Sequence, residues 1–124
     1  METITSPIDV VYPDANDLHL KVRVGACKFR MERGDFDGWV TGTYTHPEDT
    51  FPAVVTIDGG KVRISQDFDI NPLSKWFNNQ SVPTFDLAVN DMRPFALTLE
   101  GGASEGYYDL GGLPITRLNV NQGA

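Results

Sequence analysis

Apolar and polar residues alternate along much of the chain. In LHLKVRV (residues 18–24), Leu or Val occupies every second position, with polar residues between them. Because the side chains of a β-strand point alternately to its two faces, this pattern predicts a strand with one buried face. The same alternation predicts strands at KFRM (28–31), TFDLAV (84–89), FALTLE (95–100) and ITRLNV (115–120).

A hairpin is predicted within AVVTIDGGKVRIS, where Asp58, Gly59 and Gly60 separate two β-branched runs. An Asp-Gly pair between such runs is typical of a tight turn. No segment shows a sustained helical period, and NPLSKWFNNQ (71–80) is compatible with one short turn of helix. The eight Pro and twelve Gly favour many short strands and turns. We therefore predict an all-β fold with little or no helix.

A Gly-Ala pair recurs after three of the predicted strands, in LKVRVGACKFRM, LTLEGGASEGYYDL and LNVNQGA. Its glycines are Gly25, Gly102 and Gly123, and the last two are 21 residues apart, the length of one coil in a repeat array. Chance recurrence of a common dipeptide is the alternative, which the matching alternation on either side disfavours. The repeat predicts stacked strands arranged like those of a β-solenoid, combined with antiparallel hairpins.

Length, charge and cysteine content narrow the function classes. A chain of 124 residues, 40% hydrophobic, fits one packed domain. Its net charge of −7, with no run among ten Lys and Arg, disfavours nucleic acid as a partner. The single cysteine excludes an internal disulfide and a multi-cysteine zinc site.

Targeting signals are also not predicted. No apolar segment reaches the roughly 18–20 residues that span a bilayer, so no membrane span is expected in this chain. The first residues, METITSPIDVVYPDAND, lack the charged and apolar regions of a signal peptide. The last residues, LNVNQGA, stop within a strand-and-turn unit, so we expect the natural protein to be longer.

Three quoted segments carry a family resemblance: LHLKVRVGACKFRMERG, WVTGTYT and FDLAVNDMRPFALTLEGGASEGYYDLGGLPITRLNVNQGA. Together with the hairpin and tryptophan segment between them, they resemble the N-terminal toast-rack domain of bacterial envelope proteins. Related repeats occur in LiaF-like cell-wall-active antibiotic response proteins and in adhesin head domains. The likeness covers nearly the whole chain and is most specific from Phe95 to Ala124.

The resemblance implies an all-β, stacked-strand domain over residues 1–124 that continues into further coils. It also implies a location in the bacterial cell envelope, and it implies no catalytic residues. The chain departs from the family pattern at Cys27, where a glycine is usual, and at Ser104 in the equivalent place of the second unit. The third unit is truncated. No cofactor follows from the resemblance.

The segment EGGASEG matches the G-x-S-x-G pattern of a hydrolase nucleophile elbow around Ser104. Such an elbow needs a helix after the serine, and its acid and histidine follow later in the chain. Both histidines, His19 and His46, precede Ser104, and EGYYDL (105–110) alternates like a strand. We therefore predict a turn residue here and no enzymatic activity.

The same glycines suggest a phosphate loop, because Gly101 and Gly106 have Walker A spacing. Such a loop binds phosphate and magnesium through a Lys followed by Ser or Thr. Tyr107 and Tyr108 occupy those two positions. No nucleotide site is predicted.

The segment DFDIN sets Asp67, Asp69 and Asn71 at alternate positions, as at the start of a calcium loop. The sixth and twelfth positions, however, are Pro72 and Asn78 instead of Gly and Glu. An extended strand would place the three oxygen-bearing side chains on one solvent face. We predict an acidic surface strand, with a weak calcium site as the alternative.

Two histidines and one cysteine are the remaining candidates for metal binding or nucleophilic chemistry. His19 lies on the polar face of a predicted strand and His46 in the predicted turn THPEDT, so both are expected to be isolated surface residues. Cys27 has Arg23 and Lys28 nearby, which would lower a thiol pKa. We nevertheless predict a buried or partly buried small residue, and no metal site.

Aromatic residues are numerous, and an exposed row of them would bind cell-wall glycan. We instead predict that most fill the core or cap the end of the stacked strands. Because neighbouring residues of a strand face opposite sides, one of two adjacent tyrosines should be exposed. The residues concerned are Trp39, Tyr44, Phe51, Trp76, Phe77, Tyr107 and Tyr108.

The sequence thus predicts a non-catalytic envelope module. As a scaffold, adhesin-like or sensory domain it would bind protein partners or a second copy through an open sheet edge. The alternative is a module that binds cell-wall glycan or peptidoglycan through exposed aromatic side chains.

Overall fold

The fold consists of β-strands. The computed structural model describes residues 3–25, 27–47, 53–66, 83–101 and 105–122, and these contain no helix. The strands are β1 (Thr3–Val10), β2 (His19–Val24), β3 (Lys28–Arg33), β4 (Val40–Pro47), β5 (Val54–Asp58), β6 (Lys61–Ser65), β7 (Thr84–Val89), β8 (Phe95–Gly101), β9 (Glu105–Asp109) and β10 (Ile115–Gln122). The predicted all-β fold is confirmed.

The strands form two five-stranded sheets. Sheet A has the order β1-β4-β7-β3-β9, and sheet B has the order β10-β8-β2-β6-β5. In sheet A, β4 runs antiparallel to β1 and β7, whereas β3 is parallel to β7 and β9. In sheet B, β10, β8, β2 and β6 are parallel neighbours, and β5 is antiparallel to β6. Both sheets are therefore mixed.

Strands that carry the Gly-Ala repeat lie side by side. β2 pairs with β8 up to Val24 opposite Gly101, and β8 pairs with β10 up to Gly101 opposite Gln122. β3 and β9, which follow the first two Gly-Ala pairs, are also parallel neighbours. The order in space is not the order along the chain, because β6 and β7 flank β2 and β3 on the other side. The predicted solenoid-like coil is not confirmed, since the sheets are mixed and not closed.

The two sheets share a core of alternate side chains. Val or Leu at every second position of β2 is buried, as predicted, and β3, β7 and β8 bury alternate residues in the same way. The largest fully buried side chains include Trp39, Tyr44, Phe85 and Phe95. Tyr44 and Phe85 stack with ring centroids 4.2 Å apart. The predicted core role of Trp39 and Tyr44 is confirmed.

The β5–β6 hairpin occurs where it was predicted. Asp58 lies opposite Lys61, and Gly59 between them has φ of 59°. Glycine adopts this left-handed conformation without the steric cost that other residues incur. The predicted hairpin and its turn are confirmed.

His46 contradicts the prediction of an isolated surface residue in a turn. It lies in β4, opposite Ile4, with 2% of its surface exposed. Its imidazole Nε2 is 3.1 Å from the Ser6 hydroxyl oxygen, and its ring stacks on Tyr44 at 4.9 Å. β4 continues as far as Pro47, so the alternation that buries Tyr44 also buries His46. Pairing with β1 keeps this segment extended.

Candidate functional site

Several predicted sites lie outside the described residues. The predictions of an acidic surface strand, with a weak calcium site as the alternative, and of a turn residue at Ser104 therefore stay predictions, as do the helical turn at 71–80 and part of the aromatic set. The residues concerned are Asp67, Asp69, Asn71, Gly102, Ser104, Gly123, Phe51, Trp76 and Phe77.

The two histidines lie in different sheets and do not form a pair. His19 points outward from sheet B, where its Nε2 lies 2.8 Å from the Thr98 hydroxyl oxygen, whereas His46 is buried in sheet A. Within the described ranges, no group of three or more His, Cys, Asp or Glu side chains is placed to hold a metal ion. His19 is half-buried, so it is less exposed than predicted.

Cys27 is buried, with 1% of its surface exposed, as predicted. Burial raises the pKa of its thiol to about 12, because the charged thiolate is poorly solvated in the core. The thiolate is the nucleophilic form of cysteine. At neutral pH this side chain therefore acts as a small apolar residue.

Gly106, Tyr107 and Tyr108 belong to β9. Tyr107 is 56% exposed, whereas Tyr108 packs against Phe29 with ring centroids 5.4 Å apart. The prediction that one of the two adjacent tyrosines faces outward is confirmed. These residues form a strand at the positions where a Walker A loop would carry its Lys and Ser or Thr.

An open groove of about 370 Å³ lies where β3, β7 and β9 begin. An aromatic and a cationic side chain are in contact in this groove. The Arg30 guanidinium carbon lies 5.2 Å from the centre of the Tyr107 ring. A flat ring beside cations can hold a sugar that carries an acidic group. The lining residues are Lys28, Phe29, Arg30, Thr84, Phe85, Gly106 and Tyr107.

An open edge lies at β9 and β10. Leu118 and Val120 of β10 are in register with Leu97 and Leu99 of β8, which are buried. Leu118 and Val120 are nevertheless 47% and 50% exposed. No described strand of sheet A packs over these two side chains, because β9 is the last described strand of that sheet on this side. We call the two residues, with the free sides of β9 and β10, the open edge.

The fold and these surfaces define an all-β, two-sheet domain with an open strand edge and an aromatic groove. The family model described as the N-terminal domain of toast_rack, DUF2154, matches residues 1–124. The chain belongs to this family, and the resemblance noted in the sequence is confirmed.

Two solved structures are similar to the chain. One is described as a "putative cell adhesion protein" from Clostridium sporogenes, with a TM-score of 0.83 and 18% identity. The match covers 98% of this chain and 57% of that one, so the chain spans little more than half of its length. At this identity the likeness shows the fold.

A "putative lipid binding protein" from Parabacteroides distasonis has a TM-score of 0.46 and 18% identity. That match covers 97% of this chain and 46% of the other. The comparison with curated proteins found no significant match. In the described part of the chain, no helix has the length and apolar character needed to cross a membrane.

Proposed function

We propose that the chain is a non-catalytic module of the bacterial cell envelope, which acts as a scaffold, adhesin-like or sensory domain through protein contacts. The open edge is the observation that carries this proposal. A strand added beside β9 would cover Leu118 and Val120 and would bond to backbone groups on the outer side of β9. The name of the Clostridium relative is consistent with a role in adhesion.

Burial gives the open edge a driving force. Each of the two side chains is about half exposed, and full burial of a Val or Leu is worth about 1.5–3 kcal/mol. Covering both exposed halves therefore contributes about 1.5–3 kcal/mol in total, before any strand hydrogen bonds. This apolar contribution adds to the strand hydrogen bonds that a second copy or a following coil would form with β9.

The proposal includes the domain organisation. Residues 1–124 form one domain, followed in the natural protein by further β coils. The relative's greater length supports this, because the matched region is only 57% of that chain. The protonated thiol of Cys27 supports a non-catalytic role for this residue.

Self-association tests the open edge. We expect the 124-residue chain to form dimers at high micromolar concentration in sedimentation velocity. The double variant Leu118→Thr/Val120→Thr should be monomeric with little change in melting temperature, because both side chains are half exposed and Thr retains β propensity. The matched control is Val55→Thr/Ile57→Thr on β5, the other edge of sheet B.

Two results would count against the open edge. One is a wild-type chain that stays monomeric at millimolar concentration. The other is equal loss of dimer in the β5 control, since Val55 and Ile57 are also exposed apolar residues of an edge strand. Loss of the dimer in the β5 variant would show that dimer formation needs only exposed apolar residues on an edge strand and is not specific to the open edge.

A second candidate is a module that binds cell-wall glycan through the groove at Tyr107. The exposed ring and the neighbouring Arg30 support it. We expect Tyr107→Ala to weaken binding to purified peptidoglycan about tenfold, since loss of one aromatic contact commonly costs somewhat over 1 kcal/mol.

Tyr107→Phe is the matched control for the glycan test, because it keeps the ring and removes only the hydroxyl. It should bind within about twofold of wild type if ring stacking dominates. A wild-type chain that does not sediment with peptidoglycan would eliminate this candidate.

A further inference from the structure

The outer face of sheet B is rich in positive charge, whereas the chain as a whole is negative. Five of the ten basic residues project from it, although the chain has a net charge of −7. Within the described strands of this face, Asp58 and Glu100 are the carboxylates that lie among them. We call the five cations the basic face: Lys21, Arg23, Lys61, Arg63 and Arg117.

Strand register sets the cations on a regular grid. Arg63 of β6 lies opposite Lys21 of β2, and Lys61 lies opposite His19. His19 and Arg117 lie on either side of Ala96 in β8. Neighbouring strands are about 4.8 Å apart and alternate residues of one strand about 6.5–7 Å apart. Anionic groups separated by about 5–7 Å would therefore meet successive cations of β2 and β6, and Arg117 lies two strands beyond β2.

Three of the five cations lack a carboxylate partner among the described residues. Lys21 Nζ lies 2.9 Å from one Glu100 oxygen, and Arg23 Nε lies 4.0 Å from the other. One carboxylate therefore serves two cations. Among the described residues, no carboxylate oxygen lies within 4.0 Å of the basic groups of Lys61, Arg63 or Arg117, which stay available to a ligand.

Two titratable groups on the face respond to its positive field. The pKa of His19 is lowered, first by burial and then by Lys61, Arg117 and Lys21. The pKa of Glu100 is lowered, first by its hydrogen bond with Lys21 and then by nearby arginines. Both shifts have the sign that surrounding cations produce.

The chemistry of the face selects among anionic partners. Its described positions carry no Phe, Trp or Tyr, so they offer no stacking platform for nucleic-acid bases. A flat anionic bilayer would contact Asp58 and Glu100 together with the cations, whereas a flexible chain can pass between them.

We propose that the basic face binds a linear phosphodiester polymer that carries one phosphate per repeat of about 5–7 Å and no bases. Arginine and lysine donate charge-assisted hydrogen bonds to successive phosphates. The polymer crosses from β6 over β2 towards β10, and Glu100 lies between the phosphates. This ligand site is separate from the open edge and from the groove.

The test is a titration of the 124-residue chain with an oligomer of glycerol phosphate, measured by calorimetry. Lys61→Gln/Arg63→Gln should weaken binding at least tenfold. The matched control, Arg33→Gln/Arg93→Gln, removes the same charge outside the basic face and the groove and should stay within about twofold. With about three phosphate contacts, affinity should fall roughly ten- to twentyfold between 50 and 200 mM salt.

An NMR titration of the wild-type protein tests the same site without relying on variants that could misfold. The oligomer should raise the pKa of His19 in an NMR titration, because a nearby anion favours the charged imidazolium. The ring signals of His46, buried in the other sheet, should not shift.

Four results would overturn the proposal. They are no binding of the oligomer at 50 mM salt, equal weakening by the control variant, an unshifted His19, and tighter binding to duplex DNA or to phosphatidylglycerol vesicles at equal phosphate concentration. The last would assign the face to a nucleic acid or a membrane.

Discussion

Trp39→Ala is expected to lower the free energy of unfolding by about 3–5 kcal/mol, the usual cost of removing a buried large aromatic side chain. Trp39 is fully buried immediately before β4. Its ring stacks on Tyr12 at 5.7 Å and meets the edge of Phe95 at 5.7 Å, which joins the segment before β2 to β8. Removal leaves a cavity between the two sheets.

Urea denaturation followed by circular dichroism measures this loss. Domains of this size are stable by about 5–15 kcal/mol in total, so the variant should lose a large share of its stability and unfold at a lower urea concentration. The matched control is Trp39→Phe, which keeps an aromatic ring against Tyr12. Within the described residues the buried Trp39 Nε1 has no hydrogen-bond partner, so Phe sacrifices no hydrogen bond there. A loss below about 1 kcal/mol for Trp39→Ala would show that the core repacks around the site.

Gly42→Ala is expected to destabilise the fold by about 3 kcal/mol, the upper end of the usual cost of overpacking. A Cβ at Gly42 would overlap the backbone carbonyl oxygen of Asp86 and lie 2.9 Å from its carbon. The obstacle is backbone of the paired strand β7, so no rotamer change relieves it. Strands β4 and β7 would have to separate in the middle of sheet A.

Thermal unfolding tests this prediction against Gly111→Ala. A Cβ at Gly111 meets its nearest atom, an Asp109 carboxylate oxygen, at 3.4 Å, an ordinary contact. The control should therefore melt within about 2 °C of wild type, whereas Gly42→Ala should melt about 10 °C lower. Equal melting temperatures would mean that β4 and β7 are not so closely paired.

The alternation of apolar and polar residues along the chain predicted most of the strands, but not all of them. TFDLAV predicted β7 with its bounds, and the Asp-Gly turn predicted β5 and β6. The strand β1 was not predicted, because Pro7 and three Ser or Thr residues weaken its apolar alternation. β1 is an edge strand, where proline is tolerated and one side needs no strand partner. His46 was misplaced for a related reason, since pairing with β1 extends β4 beyond the turn signals.

A candidate binding surface could be predicted from the sequence only where all its residues belong to one strand. The opposite faces of Tyr107 and Tyr108 follow from the period of a strand, and they were predicted. The basic face was not, because Lys21 and Arg63 come from segments 42 residues apart and become neighbours only through β2–β6 pairing. Strand order depends on such distant pairings, which local alternation does not encode.

The position of β2 between β6 and β8 has a consequence for biosynthesis. His19 bonds to Thr98, 79 residues later in the chain. At a synthesis rate of about 5–20 residues per second, β2 and β3 wait about 4–16 s for β8 and β9 to be made. During that interval both strands expose unpaired edges that can pair with other nascent chains. A translation pause before residue 95 should therefore promote aggregation.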